Sequence, residues 1–309
     1  MAFEEQLPQW ENEGTQPPQS KRVEGWLPNE KPPASWFNWL FGRTYRVLKE
    51  LQEKSALNTD LNALDQTVTS HFAETVKDNV HGLKTTDNVT IYVDATNGND
   101  SNPGTQSQPL QTIGAAVEKI TNLIIDADHT VTIQLAPGTY VENVDIHNLI
   151  GAGTFYLRGG SDLEEADDYV IDGFVRFLGC TCITYIYGIK VLGSSSMSGA
   201  IVFARCLAGR ASNCKVDKTG RINSESNYGV QAGAQSLVTV TNSDISNITG
   251  GSNINAAIQC FQTSRVFSLN NTGNNNSIGL RTLAGTIMKS ESQPSGITAE
   301  SENEGGVIR

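Results

Sequence analysis

The chain has 309 residues, of which 38% are apolar, 7% are aromatic and 29 are glycine. This composition holds too many turn-forming residues for a helical bundle and too regular an apolar pattern for a disordered chain, so it favours a mainly β protein. The formal net charge of -11, without any basic stripe, argues against a nucleic-acid partner.

The five cysteines are an odd number in no metal-ligand spacing, which argues against a disulfide framework and against a metal site. We therefore expect no cofactor. No apolar run of about 18 residues occurs, so we expect no membrane insertion and a chain that is made, and stays soluble, in the cytoplasm. The cysteines are Cys180, Cys182, Cys206, Cys214 and Cys260.

Residues 1–33 form a leader rich in Pro, Gln and Glu, which predicts an extended segment with little regular structure. All four tryptophans lie at or just beyond this leader, and so short a segment cannot bury them alone. We expect Trp10 and Trp26 to dock into another protein or to pack on the following helix. Trp36 and Trp39 either join that docking surface or serve as ordinary helix-packing residues.

Residues 34–80 have a helical pattern. The helix opens after Pro-Pro with Ser35 as a candidate cap, and Asn58 or Thr59 could begin a second helix. Apolar residues at steps of three and four form a narrow seam, which a single helix in water would leave exposed. The seam predicts a parallel oligomeric coiled coil, with a self-packed helical hairpin as the alternative. Its residues are Phe37, Phe41, Leu48, Leu51, Leu57, Leu61, Leu64 and Val68.

Residues 81–88 are a polar linker, and from residue 89 onward the apolar period becomes two. "VTIYVD" and "TVTIQLAPGTYVENVDI" alternate as β-strands do. Between them, the spacing of Ile113, Val117 and Ile120 predicts one amphipathic helix near residues 110–123. The intervening "DATNGND" lacks the late bidentate Glu of a calcium loop, so we interpret it as an Asx-rich turn.

Four blocks in the second half align with one another, beginning at Ala200, Gly229, Ala257 and Ile278. Their spacings of 29, 28 and about 21 residues are typical of solenoids. Each block contains short strands separated by Gly, Ser and Asn, which predicts a parallel β-solenoid over residues 89–309. Because the end of a solenoid exposes unpaired strand edges, we expect the helix near residues 110–123 to cover the first coil.

Asparagine recurs at one aligned position of these blocks. Asn213, Asn242 and Asn270 each follow a run of alternating small and apolar residues. Stacked coils would place these side chains above one another, which predicts a ladder of amide hydrogen bonds. The general preference of asparagine for turns is the alternative explanation.

These segments together resemble a known family. "IYVDATNGNDSNPGTQSQPLQTIGAAVEKI" followed by "VTIQLAPGTYVENVDI" resembles the start of right-handed parallel β-helices of the pectate-lyase-like superfamily, especially those of bacteriophage and prophage tail fibres and tailspikes. "GWLPNEKPPASWFNWLFGRTYRVLKELQ" is similar to the N-terminal piece that anchors tail fibres to the virion. The resemblance covers nearly the whole chain. It implies a homotrimer in the virion tail, assembled in the host cytoplasm.

The preferred functional hypothesis is a structural component of a phage tail. Residues 1–75, including the four tryptophans, would bind other tail or baseplate proteins. The β-helix would then attach to a glycan or receptor on the host surface, through exposed aromatic and amide side chains. An internal tail or baseplate adaptor that never touches the host is one alternative.

A polysaccharide depolymerase, either hydrolase or lyase, is the other alternative. Glycoside hydrolysis needs two carboxylates about 5 to 10 Å apart. The acidic run "SDLEEADDYVIDG" offers Asp168 and Asp172, which flank the start of a strand. The same run is also typical of a solvated loop between coils, and the short β region argues against a long substrate groove.

Overall fold

The computed structural model describes residues 9–77, 83–251 and 254–309. The chain divides into two compact units, Met1–Asp78 and Asn79–Arg309. The described part of the first unit contains helices, and the second unit contains all of the described strands.

The described part of the first unit contains helix α1 (Gln19–Glu24) and helix α2 (Ala34–Lys77). Helix α1 is a short helix of 6 residues within the leader, for which the sequence predicts an extended segment with little regular structure. Helix α2 runs for 44 residues without interruption, so the predicted new helix at Asn58 or Thr59 is wrong, and so is the hairpin. The reason is compositional: no Gly or Pro occurs between Arg43 and Lys77, so nothing in the sequence stops the helix.

The described part of the second unit consists of 24 short strands, one α-helix and one 3-10 turn. In chain order they are β1 (Leu83–Lys84), β2 (Val89–Val93), α3 (Ile113–Ile120), β3 (Leu123–Ile125), β4 (Thr130–Leu135), β5 (Gly138–Tyr140), β6 (Val144–His147), β7 (Ile150–Gly151), β8 (Thr154–Arg158), the 3-10 turn (Glu165–Asp168), β9 (Tyr169–Ile171), β10 (Val175–Leu178), β11 (Ile183–Tyr187), β12 (Lys190–Val191), β13 (Gly199–Ala204), β14 (Ala208–Ser212), β15 (Lys215–Asp217), β16 (Asn227–Gly233), β17 (Leu237–Thr241), β18 (Asp244–Ser246), β19 (Asn255–Phe261), β20 (Arg265–Leu269), β21 (Asn276–Leu283), β22 (Thr286–Ser290), β23 (Gly296–Asn303) and β24 (Val307–Ile308).

The strands form three long parallel sheets and one short one. The nine-stranded sheet has the order β2-β4-β8-β11-β14-β17-β20-β22-β24, the seven-stranded sheet β6-β10-β13-β16-β19-β21-β23, and the five-stranded sheet β5-β9-β12-β15-β18. A three-stranded sheet, β1-β3-β7, lies at the first coils. Each strand pairs with the equivalent strand of the next coil, as Ile183 does with Ala208. This arrangement confirms the predicted mainly β, parallel solenoid.

Inward-facing side chains of successive coils stack on one another to form the core. In the seven-stranded sheet, Ile146, Phe177 and Phe203 occupy one column, and each is fully buried. The rings of Phe177 and Phe203 stack with centroids 5.0 Å apart and planes 6° apart. Because equivalent residues of successive coils stack on one another, each coil gains both main-chain hydrogen bonds and apolar contacts from its neighbours.

Helix α3 packs on the first coil. Its buried residues, Ile113, Ala116, Val117 and Ile120, are those that the helical spacing predicts. The helix contacts β2 and β6, and β6 is the edge strand of the seven-stranded sheet. An edge strand that would otherwise be exposed is thus covered.

The register corrects the fourth aligned block by one residue. Ile201 pairs with Val230 and Val230 with Ile258, as the first three blocks predict. Ile258 then pairs with Leu280, whereas the aligned blocks predict Gly279. The turn from β21 to β22 is one residue shorter than the turn from β19 to β20, and this difference causes the shift.

Candidate functional site: a groove and an aromatic column on the coils

A groove of about 330 Å³ lies where the five-stranded sheet leads into the seven-stranded sheet. Three successive coils contribute the segments that follow β5, β9 and β12, and Arg221 closes one side. At Gly173 a Cβ atom would lie 1.9 Å from the Glu142 carbonyl oxygen, so only glycine fits there. The lining residues are Val141, Glu142, Asn143, Asp172, Gly173, Gly193, Ser194, Ser195 and Arg221.

Both carboxylates of this groove are held by fixed partners. Arg221 donates from Nε to Asp172 Oδ1 at 2.8 Å and from Nη2 to Oδ2 at 2.7 Å, which lowers the pKa of Asp172. Glu142 accepts hydrogen bonds from the backbone N–H groups of Ile113 and Gly114, at 2.8 and 2.9 Å, and so caps helix α3. Asp172 therefore stays ionised and is a poor proton donor for glycoside hydrolysis.

Asp168 lies elsewhere. It is the exposed last residue of the 3-10 turn and is not among the residues that line the groove. Its neighbour Asp167 pairs with Lys190 at 3.0 Å and also with Lys215, and these contacts lower the pKa of Asp167. The acidic run thus divides between an ion-pair network on the turn and the single groove residue Asp172.

Sequence inspection missed an aromatic column on the outward face of the nine-stranded sheet. Tyr156, Tyr185 and Arg210 are register partners in three successive coils, and we call these three residues the aromatic column. The two rings stack with centroids 4.7 Å apart, and the Arg210 guanidinium lies 5.0 Å from the Tyr185 centroid. The two tyrosines are 29 positions apart, which equals the spacing of the first two aligned blocks and was the available signal.

The asparagine positions share one backbone conformation. Asn213, Asn242 and Asn270 have φ values of 52°, 49° and 51°, in the left-handed region that asparagine tolerates better than most residues. Asn270 donates to Asn242 Oδ1 at 2.9 Å, whereas Asn213 donates to the Tyr187 hydroxyl at 2.8 Å. The amide contact therefore joins the last two positions, and turn geometry accounts for all three.

A second asparagine ladder lies one bend further along the coil. Asn275 donates to Asn247 Oδ1 at 2.8 Å, and Asn247 donates to Asp217 Oδ1 at 3.0 Å. Both asparagines have positive φ, at 55° and 63°. This ladder was not predicted, although the two residues are spaced like the aligned blocks.

In the first unit, two tryptophans pack on helix α2. The Trp10 ring lies 5.0 Å from that of Phe41, and the Trp26 ring lies 5.7 Å from that of Phe37. Trp10 and Trp26 remain 41% and 40% exposed, so these contacts cover only part of each ring. Trp36 and Trp39 are half-buried on the helix itself.

The apolar seam of α2 is exposed within this chain. Phe37, Phe41, Leu48, Leu51 and Leu64 keep between 38% and 60% of their surface accessible. An apolar groove of about 250 Å³ runs along the same helix, lined by Trp39, Leu40, Arg43, Thr44, Val47 and Leu48. The side chains of Leu57, Leu61 and Val68 lie outside the described residues.

Within the described ranges, no group of three or more His, Cys, Asp or Glu side chains could hold a metal ion. The acids of the "DATNGND" loop instead accept backbone hydrogen bonds. Asp94 accepts from Thr96 and Asn97, and Asp100 accepts from Gln111 and Thr112. Within the same ranges, no helix has the length and apolar character of a membrane span.

These stacked parallel coils define the second unit as a parallel β-helix. Residues 96–146, which include α3 and the start of the first coils, match the family model DUF1565, described as a protein of unknown function. No curated protein matches the chain.

Two solved structures of GH136 lacto-N-biosidase from Eubacterium ramulus are similar to the chain. The selenomethionine derivative is 14% identical, with 88% of this chain and 64% of that chain covered and a TM-score of 0.32. The native protein is 9% identical, with coverages of 88% and 75% and a TM-score of 0.17. This chain thus spans 64% of the length of the first structure, and similarity at this level says nothing about activity.

Proposed function

We propose that this protein is a structural component of a bacteriophage tail, a fibre or short appendage, that binds a host-surface glycan without cleaving it. In this proposal residues 1–75 attach to other tail proteins and three chains associate through the seam of α2. The β-helix, right-handed as in pectate-lyase-like proteins, faces the host. The support for the phage assignment is the resemblance of the leader and of the first coil.

The observation that favours binding over cleavage is the Asp172–Arg221 pair. A hydrolase needs one carboxyl group that is protonated near neutral pH, and the bidentate guanidinium favours the opposite state. Glu142 already has a structural role, because both of its oxygens accept hydrogen bonds from backbone N–H groups at the N-terminus of α3. The groove nevertheless offers hydroxyl, amide and guanidinium groups of the kind that hydrogen-bond sugar hydroxyls.

The aromatic column, on the nine-stranded sheet, supplies an apolar contact separate from the groove. Sugar rings have apolar faces that pack on aromatic side chains, and the burial of such surface is favourable by roughly 25 cal/mol per Å². Tyr156 and Tyr185 already stack on each other, so little side-chain entropy is lost when a ligand binds. We therefore assign the first contact with a glycan chain to the aromatic column.

The proposal is tested with the purified full chain and capsule or cell-wall polysaccharide from candidate hosts. We measure retention on immobilised polysaccharide and, separately, release of reducing ends or unsaturated sugars. Retention without release is expected, and Tyr185→Ser should weaken retention at least several-fold. Tyr228→Ser, which removes a half-buried tyrosine from the seven-stranded sheet, is the matched control and should bind normally.

Two outcomes would contradict this proposal. Release of sugar that Asp172→Asn abolishes would identify a depolymerase. Lack of retention on every polysaccharide, together with antibody labelling of disrupted but not intact particles, would instead support an internal adaptor.

A further inference from the structure

Two buried cysteines lie directly above one another in neighbouring coils. Leu178 of β10 pairs with Ala204 of β13, and Cys180 and Cys206 each follow two residues later. Backbone hydrogen bonds flank the two cysteines: Gly179 N–H donates to the Ala204 carbonyl at 2.9 Å, and Leu207 N–H donates to the Cys180 carbonyl at 3.0 Å. The two residues are therefore held in register.

This stacking matches the geometry that a disulfide needs. Neighbouring parallel strands lie about 4.8 Å apart, and disulfide-bonded cysteines have Cα atoms about 4.4–6.8 Å apart. The Cys206 thiol is directed towards the coil that carries Cys180, because it donates to the Phe177 carbonyl oxygen of that coil at 3.4 Å. Both residues are at most 1% exposed, and all five cysteines are free.

The environments of the thiols also differ. The neighbouring Cys206 side chain lowers the pKa of Cys180, whereas burial raises the pKa of Cys182 and of Cys214 to about 12. Cys180 is thus the thiol that most readily becomes the nucleophilic thiolate. Cys206, at the equivalent position of the adjacent coil, is placed to resolve an adduct on the Cys180 sulfur.

We propose that Cys180 and Cys206 are an oxidation site at which two-electron oxidation forms a disulfide between adjacent coils. With an azo oxidant such as diamide, the Cys180 thiolate adds to the N=N bond. The Cys206 thiol then attacks the Cys180 sulfur and displaces the hydrazine. Two S–H bonds are lost, one S–S bond forms, and the N=N bond is reduced to HN–NH by the two protons and two electrons. The inference does not depend on the proposed function.

The next coils provide a matched control for this pair. Ser236 and Ser264 continue the same column, and the Ser236 Oγ accepts a hydrogen bond from Cys206 N–H at 3.1 Å. Serine therefore fits this position in the native fold, so Cys206→Ser should fold normally while losing the partner thiol. Cys182→Ser removes a buried thiol outside the pair.

The experiment treats the native full chain with diamide, counts free thiols, and maps peptides without reduction. The protein should lose two of its five thiols and about 2 Da, with the link between Cys180 and Cys206. The thermal midpoint of the oxidised protein should be higher than that of the untreated protein, and reduction of the disulfide should reverse this increase. Cys182→Ser should behave the same way, and Cys206→Ser should form no intramolecular link. Survival of all five thiols in the folded protein, or a link between Cys180 and Cys182, would overturn the proposal.

Discussion

At the scale of single residues, Lys218 is the least expected side chain in the β-helix. It is fully buried, and its Nζ donates to the carbonyl oxygens of Met197 and Ser198 at 3.0 and 2.9 Å. These carbonyl groups are neutral, so the ammonium charge is stabilised by dipoles alone. Burial consequently lowers the pKa of Lys218 from 10.5 to about 8.

This lowered pKa predicts a pH-dependent stability. Between about pH 8 and 10.5 the unfolded state binds the Lys218 proton and the folded state does not, so the free energy of unfolding rises with pH. The full gain is about 3 kcal/mol. Urea denaturation at about pH 7 and about pH 10 should show this rise in the wild type relative to Lys218→Met. Equal pH dependence in the two proteins would contradict it.

The Asp172–Arg221 pair of the groove could not be predicted from the sequence. The acidic run drew attention to Asp172, but nothing in the sequence indicates that its partner is Arg221, 49 positions later. That pairing depends on which coils the two residues occupy and on the path of the long connection after β15. The turn positions of Asn213, Asn242 and Asn270 were easier to predict from the sequence. Asparagine tolerates the left-handed conformation, so its repeated occurrence at a turn has a local physical cause.

At the scale of elements, α2 carries the prediction that bears most on assembly. Its seam is exposed in the single chain, and exposed apolar stripes of this kind are stabilised by association. Leu48→Glu combined with Leu51→Glu should convert a trimer to monomers in light scattering after size-exclusion chromatography. Lys49→Glu changes the net charge by the same amount outside the seam and should leave the mass unchanged. A wild-type monomer at micromolar concentration would refute the expectation.

Elements were predicted well where a local pattern determines them. Helix α3 follows from the spacing of Ile113, Val117 and Ile120 and from its cap, in which Thr112 Oγ1 accepts from Ala115 N–H at 3.2 Å. The continuity of α2 was not predicted. The stretch "NTD" resembles a helix start, but no residue there forces the preceding helix to stop. The contact of Trp10 with Phe41 was one of two open possibilities, since it joins segments whose approach no local pattern determines.

At the scale of the whole solenoid, the last described coil has exposed acids at positions that are buried in the preceding coil. Glu300 pairs in register with Leu280, and Glu302 with Thr282, so two acids continue columns that are otherwise apolar or small. Glu300 forms an ion pair with Lys289, and Glu302 accepts from the Ile308 N–H. Charged groups at such a position discourage another sheet edge from adding to β23.

Removing this ion pair should promote association. Lys289→Met combined with Glu300→Leu keeps the net charge but adds apolar side chains at β23, the edge strand of the seven-stranded sheet, so sedimentation velocity should detect larger species. Lys84→Met with Asp126→Asn removes an exposed pair at the first coils and is the control. If both double variants sediment like the wild type, the charged pair has no protective role.

The solenoid itself was predictable because its repeat is written in the sequence, whereas the exact register of its last coils was not. Blocks aligned at Ala200, Gly229 and Ala257 match the observed pairing. The fourth fails because Ala284 and Gly285 form a turn one residue shorter than its predecessor. A shortened turn leaves each strand's own pattern unchanged, so only the three-dimensional pairing reveals it.

In the described part of the solenoid, the main-chain ladders join each coil to its two neighbours, whereas a few side-chain pairs such as Arg221–Asp172 span two coils. The ladders make length an adjustable quantity. A complete coil away from those side-chain pairs can be duplicated or deleted at little cost in free energy, because the main-chain junction that remains is of the same kind as the other junctions. The length of the solenoid can thus change in steps of one strand spacing, while the surfaces of its first and last coils are kept.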